Sequence, residues 1–512
     1  MQTVNLSTES LRDVALEQGV CIRPVVQELH DTIAGHRRLV PIACGSTQER
    51  KCPPCAERNR KLRAQQCREG WHLEEEPDAD DPEPEDDADD EPDSDDDNSD
   101  DDTGGTRRVR STRRRQDAPD LPRLPVENRT IGRTFRAPNG KTWRPSMFAT
   151  FTLPSYGRVN SDGTPVDPSR YNYRRAALDA MHFPKLLDRC WQNLRRAVGY
   201  QVQYFAAVEP QRRLAPHLHA ALRGAIPREL VRQVVAGTYH QLWWPPFDEV
   251  IYPDHSLPEW VEGVGYVDPH LGVTLPTWDE ALDDLDADPA AKPGHVVRFG
   301  KQLDLQGIVA SSGDADRRVG YLTKYLTKSI SEGYDDDTAT PAQRAHLERL
   351  HQEVRWLPCS SRCWNWLRFG VQPQGADAGM VPGFCSNKAH DRDHLGCGGR
   401  RVLVSRKWTG KTLADHKADR ATVVAEVLAS AGIARPDIER YSATVEGSDG
   451  RPRYVWKPWR PGERTAPVYR QVLTHAIQER MRWRTQFERA KQRAGTGGGC
   501  SATSGGAPGD DG

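Results

Sequence analysis

Two histidines separated by a single residue stand in the segment PHLHAALRG, residues 216–224. On a β-strand, side chains two residues apart point to the same face, so His217 and His219 would stand side by side. Glu209 ends the preceding strand-like segment, and a hairpin would bring its carboxylate toward them. Two imidazoles and one carboxylate suit Mn²⁺ or Zn²⁺ and tolerate Mg²⁺, so the sequence predicts a cation site. The alternative is a pair of plain core or surface histidines.

A second segment, GYLTKYLTK, repeats the spacing Tyr-x-x-Lys twice, first with Tyr321 and Lys324 and then with Tyr325 and Lys328. On a helix the two tyrosines are four residues apart and share a face. A tyrosine beside a metal-polarised phosphate is a nucleophile for phosphodiester cleavage, and a lysine can stabilise the charge that develops. The alternative is an amphipathic helix with buried tyrosines and solvated lysines.

Cysteines are grouped in two places. Near the N-terminus, Cys44, Cys52 and Cys55 contain a Cys-x-x-Cys knuckle, which predicts a zinc site; the alternative is reduced cysteines without a metal. The later group has a looser spacing, so a second zinc site and a plain cysteine-rich loop are both open. Its predicted ligands are Cys359, Cys363, Cys385 and Cys397, with His390 and His394 as replacements.

The charge of the chain is unevenly distributed. Residues 74–102 hold 20 of the 73 acidic residues and no Lys or Arg, so the remaining 53 acidic residues face 71 basic ones. The folded parts are therefore basic, which favours a partner that carries phosphates. The acidic run and the basic block after it predict a disordered linker, and the alternative is a DNA-mimicking arm that competes for a basic site. The sequence shows no membrane span or signal peptide, so we expect a cytoplasmic protein.

Several segments can position these groups. Residues 146–157 alternate as a strand followed by a turn, and residues 200–210 and 216–224 read as a hairpin. Helical spacing runs through residues 174–198, where Pro184 would kink or split the helix. The remaining segments are predicted as helices over 227–244 and 316–330, an inserted loop region over 245–294, a strand over 295–305 and helical spacing over 412–494.

Three segments in this order carry a resemblance: FATFTLP on a strand, PHLH on a later strand and YLTKYLTK on a helix. The combination resembles the motifs of the His-hydrophobe-His endonucleases that initiate rolling-circle replication, and more narrowly those of actinobacterial plasmids and integrative elements. Further similar phrases are CPPCAE and SNKAHDRDHLGCGGRRVLVSRKWTGKTLADHKADR. The resemblance covers roughly residues 20–70 and most of 146–420.

The resemblance implies an α+β fold whose core is an antiparallel sheet of about five strands flanked by helices, in the arrangement of RNA-recognition domains. It implies His217, His219 and Glu209 as ligands of Mg²⁺ or Mn²⁺. Tyr325, in the form Lys-Tyr-x-x-Lys, would be the nucleophile and Tyr321 the alternative or an auxiliary. The N-terminal pattern adds Cys21 as the fourth ligand of a structural Zn²⁺, with Cys67 or His72 as the alternative.

The expected organisation has six parts. They are a zinc-knuckle module (1–72), an acidic and basic linker (73–145), a nuclease core with its insertion (146–335), a cysteine-rich DNA-binding region (336–411), a helical region (412–494) and a flexible tail (495–512). In the cysteine-rich region, Trp364, Trp366 and Trp408 stand among arginines, a pattern typical of stacking and phosphate contact on DNA; the alternative is core tryptophan with solvated arginine.

The resemblance implies a replication initiator that nicks one strand of an origin through a covalent 5′-phosphotyrosine. Double- and single-stranded plasmid origin DNA, a host helicase and a DNA polymerase are the expected partners. Two alternatives stay open: a relaxase- or transposase-type mobilisation nuclease, and a non-catalytic zinc-dependent regulator that binds the origin.

Overall fold

The structure is a computed structural model. It describes residues 7–77, 119–136, 138–140, 142–310, 312–324, 326–327, 331, 334, 338–398, 401–430, 446, 450–459 and 465–496. Most of the predicted acidic and basic linker and of the C-terminal tail, together with Tyr325 and Lys328, therefore lies outside the described residues.

The helices of the described residues are α1 (Thr8–Glu17), α2 (Pro53–His72), α3 (Tyr173–Met181), α4 (Phe183–Val198), α5 (Arg228–Gly237), α6 (Trp278–Ala287), α7 (Gly313–Lys324), α8 (Pro341–Trp356), α9 (Leu413–Ser430) and α10 (Thr465–Thr496). The strands are β1 (Val25–Asp31), β2 (Arg37–Ile42), β3 (Phe135–Arg136), β4 (Thr142–Trp143), β5 (Pro145–Thr152), β6 (Tyr204–Pro210), β7 (Pro216–Arg223), β8 (Tyr239–Leu242), β9 (Glu259–Val261), β10 (Gly265–Val267), β11 (His295–Arg298), β12 (Leu303–Val309), β13 (Val402–Val404) and β14 (Tyr454–Pro458).

The chain divides into two compact units. One combines residues 1–65 with residues 412–512, and the other contains residues 66–411. The first unit contains a three-stranded antiparallel sheet in the order β14-β1-β2, and α1 packs against α10. Segments from the two ends of the sequence thus form one sheet.

The second unit is built around a five-stranded antiparallel sheet with the order β12-β5-β7-β6-β13. The prediction of such a sheet in a mixed α and β fold is confirmed. The central strand β7 pairs with β5 on one side and β6 on the other, and β6 and β7 form the predicted hairpin. The paired residues Glu209 and His217 lie at the hairpin end of the sheet.

The two faces of this sheet carry different side chains because successive residues of a strand point to opposite sides. Leu218, Ala220 and Leu222 of β7 are fully buried and belong to a large apolar core with Phe151 of β5 and Trp191 of α4. The opposite face carries the histidines of the same strand. The alternation therefore anchors β7 through one face and leaves the other for polar groups.

Pro184 splits the predicted helix over 174–198 into α3 and α4, since it occupies the first turn of α4. Proline is favoured at that position because its missing N–H has no helical partner there. Two predictions about neighbouring segments are wrong. The helix predicted over 227–244 ends at Gly237 and continues as strand β8, and the segment 245–294 is not a structureless loop because it contains β9, β10 and α6.

The predicted stacking tryptophans of the cysteine-rich region are partly corrected. Trp366 and Trp408 are fully buried, and Trp366 packs against Trp244 and Phe247. Indole rings inside a core cannot stack on nucleobases, so the core interpretation holds for these two residues. Within the described residues, no helix is both long and apolar enough to cross a membrane.

Candidate functional site

Glu209, His217 and His219 converge on one face of the five-stranded sheet. One ligand atom from each side chain lies within 4.8 Å of the others. A carboxylate oxygen of Glu209 is 3.1 Å from Nε2 of His219 and 3.6 Å from Nε2 of His217. We call these three residues the metal trio. The trio can hold a divalent cation through one oxygen and two imidazole nitrogens.

Neighbouring side chains hold the ring of His219. Thr150, its cross-strand partner on β5, places its hydroxyl 2.9 Å from Nδ1, and the Phe148 ring stacks on the imidazole with centroids 5.8 Å apart. With the proton on Nδ1, the hydroxyl accepts a hydrogen bond and the Nε2 lone pair faces Glu209. A partner on the far nitrogen of a ligand histidine fixes its tautomer and orientation.

The protonation states of the trio also suit a cation. Burial acts to raise the pKa of Glu209, but the neighbouring imidazoles of His217 and His219 outweigh it and lower this pKa to about 2. Burial lowers the pKa of His217, although its contact with Glu209 opposes the change. At neutral pH the carboxylate is therefore charged and His217 is neutral, and these are the forms that bind metals.

One observation tests the fit of a metal directly. Nε2 of His217 is buried and has no hydrogen-bond partner among the described residues. A buried polar atom without a partner costs free energy, which a metal–nitrogen bond would remove. The residues at the site therefore fit a bound divalent cation.

Tyr321 of helix α7 lies against the metal trio. Its hydroxyl is 3.3 Å from Nε2 of His219, its ring packs edge-on against the imidazole with centroids 4.9 Å apart, and it is 38% exposed. The Tyr321 residue is therefore partly open to solvent. Lys324 is exposed at the end of α7, whereas the predicted nucleophile Tyr325 and its Lys328 lie outside the described residues.

The N-terminal cysteines form a compact cluster in the first unit. Cys21, Cys44, Cys52 and Cys55 bring their sulfur atoms within 4.8 Å of one another. The Sγ atoms of Cys52 and Cys21 are 3.7 Å apart, and the backbone N–H of Cys44 donates to Sγ of Cys21. The alternatives Cys67 and His72 lie outside this set. Four thiols at these distances can hold a metal such as zinc.

In the second cluster one of the two predicted replacements, His390, takes the place of Cys397. Cys359, Cys363 and Cys385 come together with His390, while Cys397 is buried in the apolar core outside the set. His390 turns its Nδ1 toward the Val354 carbonyl at 2.7 Å, which leaves Nε2 3.4 Å from Sγ of Cys363.

Burial alone would lower the pKa of His390, but hydrogen bonds to Cys363 and Cys385 raise it to about 10. Hydrogen bonds with Cys359 and Cys363 lower the pKa of Cys385. The thiols and the imidazole are therefore close enough to share protons. Three sulfurs and one imidazole form a set that suits zinc.

Sequence reasoning missed the role of Thr150. The alternation of β5 indicates that Phe148, Thr150 and Thr152 share a face, but only the register shows that Thr150 lies opposite His219 and Thr152 opposite His217. It also missed Arg318, whose guanidinium lies 4.8 Å from the centroid of the Phe148 ring. A strand pairing between segments some 70 residues apart leaves no local signal.

Comparison with known proteins identifies the family of the chain. Residues 7–479 match the family described as "Replication initiator protein, pSAM2". A Replication initiator protein of Streptomyces ambofaciens is 23% identical over 276 residues, which are 43% of this chain and 53% of the relative. The chain thus spans about half the length of this curated relative. No solved structure matches. Because the family match extends over most of the chain, the protein belongs to the family of pSAM2-type replication initiators.

Proposed function

We propose that this replication initiator nicks one strand of an origin by attack of a tyrosine hydroxyl on a phosphate held at the metal trio, and so starts rolling-circle replication. The observation that supports the proposal is the convergence of Glu209, His217 and His219, with the hydroxyl of Tyr321 3.3 Å from Nε2 of His219. A tyrosine hydroxyl and a candidate cation site thus lie side by side.

The proposed reaction is a transesterification that keeps the number of phosphate ester bonds constant. The tyrosine oxygen forms a bond to phosphorus, the bond from phosphorus to the 3′ oxygen breaks, and the 5′ phosphate stays on the protein. The phenol loses its proton to solvent, and the released 3′ oxygen gains one and becomes a primer for a DNA polymerase. Mg²⁺ or Mn²⁺ held by the trio would polarise the phosphate and stabilise its charge.

The two tyrosines take different parts in the proposal. Tyr325, in the form Lys-Tyr-x-x-Lys, makes the first attack, and Lys328 stabilises the charge. Tyr321 provides a second hydroxyl, which accepts the strand when the circle is closed, with Lys324 three residues after it in sequence. The contact of Tyr321 with His219 supports its part, whereas the part of Tyr325 rests on the resemblance of the motif.

A plasmid-nicking assay tests the proposal. Supercoiled plasmid carrying the origin is incubated with Mn²⁺ and the wild-type chain, and we expect conversion to the open circle. Replacing both His217 and His219 with alanine should abolish nicking while binding to duplex origin DNA is retained. His255→Ala is a matched control because this histidine lies in the 245–294 insertion, outside the trio. Normal nicking by the double variant would show that the metal trio is not the catalytic site.

The same assay separates the competing functions. A non-catalytic regulator would bind the origin but leave the plasmid supercoiled at every Mn²⁺ concentration. A mobilisation nuclease would nick DNA yet fail to start synthesis from the new 3′ end when a host helicase and polymerase are supplied. The replication initiator should both nick the plasmid and prime synthesis.

A further inference from the structure

A cleft lined with arginine opens between the start of helix α3 and strand β11. It has a volume of about 460 Å³, and its walls include Asn172, Arg174, Arg175, His295 and Arg298. This volume lies in the range typical of ligand sites. The cleft shares no residue with the metal trio, and the proposed cleavage reaction gives its residues no role.

The polar groups of the cleft differ in how firmly they are held. Asp179 is fully buried, accepts hydrogen bonds from Tyr156 (2.9 Å) and from Nε2 of His295 (2.7 Å), and lies 3.8 Å from Nε of Arg175, so it holds two of the side chains that line the cleft. Arg298 is exposed and makes no ion pair within the described part of the chain. One guanidinium of the cleft is thus available to an anion.

Two connections link the cleft to the strands that carry the metal trio, and the first runs along the backbone. Strand β11 continues through Phe299 to Gly300, whose N–H donates to the carbonyl of Thr152 (2.7 Å). Thr152 is the cross-strand partner of His217. Because Arg298 precedes Gly300 by only two residues, its backbone lies within about 7 Å of that junction.

A chain of side-chain contacts makes the second connection. Arg213, in the turn between β6 and β7, donates hydrogen bonds to the carbonyls of Leu153 and Pro154. Its guanidinium lies 5.1 Å from the centroid of the Tyr156 ring, whose hydroxyl donates to Asp179. The hairpin that carries His217 is therefore linked through packed and hydrogen-bonded groups to Asp179, which contacts His295 and Arg175 of the cleft.

We infer that the cleft between α3 and β11 binds the phosphodiester backbone of single-stranded DNA next to the bond that is cut. Guanidinium groups recognise phosphate oxygens with paired hydrogen bonds, and a basic groove that tracks the backbone is the common device for holding single strands. The inference rests on the proposed function, since the bound strand is the one that crosses the metal trio. The cleft sets the path of that strand without taking part in the chemistry.

The salt dependence of binding tests this inference without any cleavage. A fluorescein-labelled oligonucleotide of twenty thymidines is titrated with the full chain at several salt concentrations, with no Mg²⁺ or Mn²⁺ added. For single strands, the slope of log affinity against log salt becomes shallower by about 0.7 for each phosphate whose charge the protein no longer neutralises. We expect Arg298→Ala to reduce the slope by that amount and to weaken binding roughly three- to tenfold.

Two further variants make the result specific. Arg298→Lys keeps the charge and should keep the slope. Arg196→Ala removes the same charge from an exposed site on α4, and it should leave the slope at the wild-type value. Arg196 lies near the end of the sheet that is far from the metal trio. It precedes the Gly199–Tyr200 segment, and Tyr200 packs beside Gly224, which follows β7 at the end opposite to His217. Equal slopes for Arg298→Ala, Arg196→Ala and wild type would overturn the inference.

A failure of the proposed function gives a different pattern. If the wild-type chain does not nick plasmid but Arg298→Ala still lowers the salt slope, the cleft binds DNA and the cleavage proposal is wrong. If the wild-type chain nicks and the slope is insensitive to Arg298, cleavage stands and the cleft inference is wrong.

Discussion

Replacing Thr150 with valine tests whether the metal trio depends on the orientation of His219. Valine has the shape of threonine and the same branching at Cβ, so strand β5 should keep its backbone and its pairing with β7. The change removes only the hydroxyl, which lies 2.9 Å from Nδ1 of His219. The imidazole then loses the partner that fixes its tautomer and holds Nε2 toward Glu209.

The expected loss of metal affinity follows from the effect of such supporting contacts at other metal sites. Loss of one partner behind a ligand histidine typically weakens metal affinity or activity by about 10- to 100-fold. This range corresponds to about 1.4 to 2.7 kcal/mol of binding free energy. The stability of the fold should change less, since one half-buried hydrogen bond contributes about 1 kcal/mol.

The assay is a titration of nicking rate against Mn²⁺ concentration. Thr150→Val should need a higher Mn²⁺ concentration for half-maximal rate, by the factor given above, and should approach the wild-type rate at saturation. Thr152→Val is the matched control, because it removes a hydroxyl from the same face of β5, where that hydroxyl donates to the carbonyl of Gln302 instead. An unchanged Mn²⁺ requirement in Thr150→Val, or an equal increase in both variants, would refute the reasoning.

Three further predictions concern other parts of the chain. In the second cysteine cluster, His390→Ala should reduce the zinc content measured by mass spectrometry from two ions per chain to one, whereas His394→Ala should leave two. The reverse result would show that His394, and not His390, is the fourth ligand. Burial lowers the pKa of His182 well below its usual 6.5, so the folded protein keeps this imidazole neutral while the unfolded chain takes up a proton. Stability from this group is present above pH 6.5 and is lost as the pH falls below it, with a slope of up to about 1.4 kcal/mol per pH unit, and His182→Phe should flatten that slope in urea titrations. Deletion of residues 80–102 should leave nicking of a single-stranded origin oligonucleotide intact, and loss of activity would contradict the linker interpretation.

That deletion begins after residue 77 for a structural reason. Glu76 accepts hydrogen bonds from the backbone N–H groups of Thr130 and Ile131, and Glu74 lies 3.3 Å from a guanidinium nitrogen of Arg144. The first acidic residues of the run are therefore part of the fold. A sharp rise in non-specific DNA affinity at low salt after the deletion would support the alternative of a competing acidic arm.

The metal trio and the Cys52–Cys55 knuckle could be anticipated because their geometry follows from local rules, whereas Cys21 is implied only by the family resemblance. His217 and His219 share a face by the alternation of a strand, and a hairpin of short link length brings Glu209 opposite His217. Cys52 and Cys55 are three residues apart at the start of α2. Such short-range relations can be predicted from the spacing of the residues.

The remaining features depend on contacts between distant segments, so the sequence alone could not decide between the alternatives. His390 replaces Cys397 as a cluster member because the Val354 carbonyl of α8 orients its ring, whereas Cys397 packs into the apolar core. The tetrapeptide YHQL of β8 continues an amphipathic pattern that predicts helix, and only its pairing with β11 makes it a strand.

The most direct test of the proposed mechanism is to identify the residue that carries DNA. A labelled origin strand is cleaved with Mn²⁺, the protein is digested, and the peptide that retains the label is sequenced by mass spectrometry. We predict a 5′-phosphotyrosine on Tyr325 in the wild-type chain, absent from Tyr325→Phe, while Tyr321→Phe retains the first cleavage and loses closure. An adduct on Tyr321 that survives in Tyr325→Phe would show that Tyr321 makes the first attack and that the two roles are reversed. Cleavage by the double variant, or a strand break without any covalent tyrosine, would contradict the mechanism.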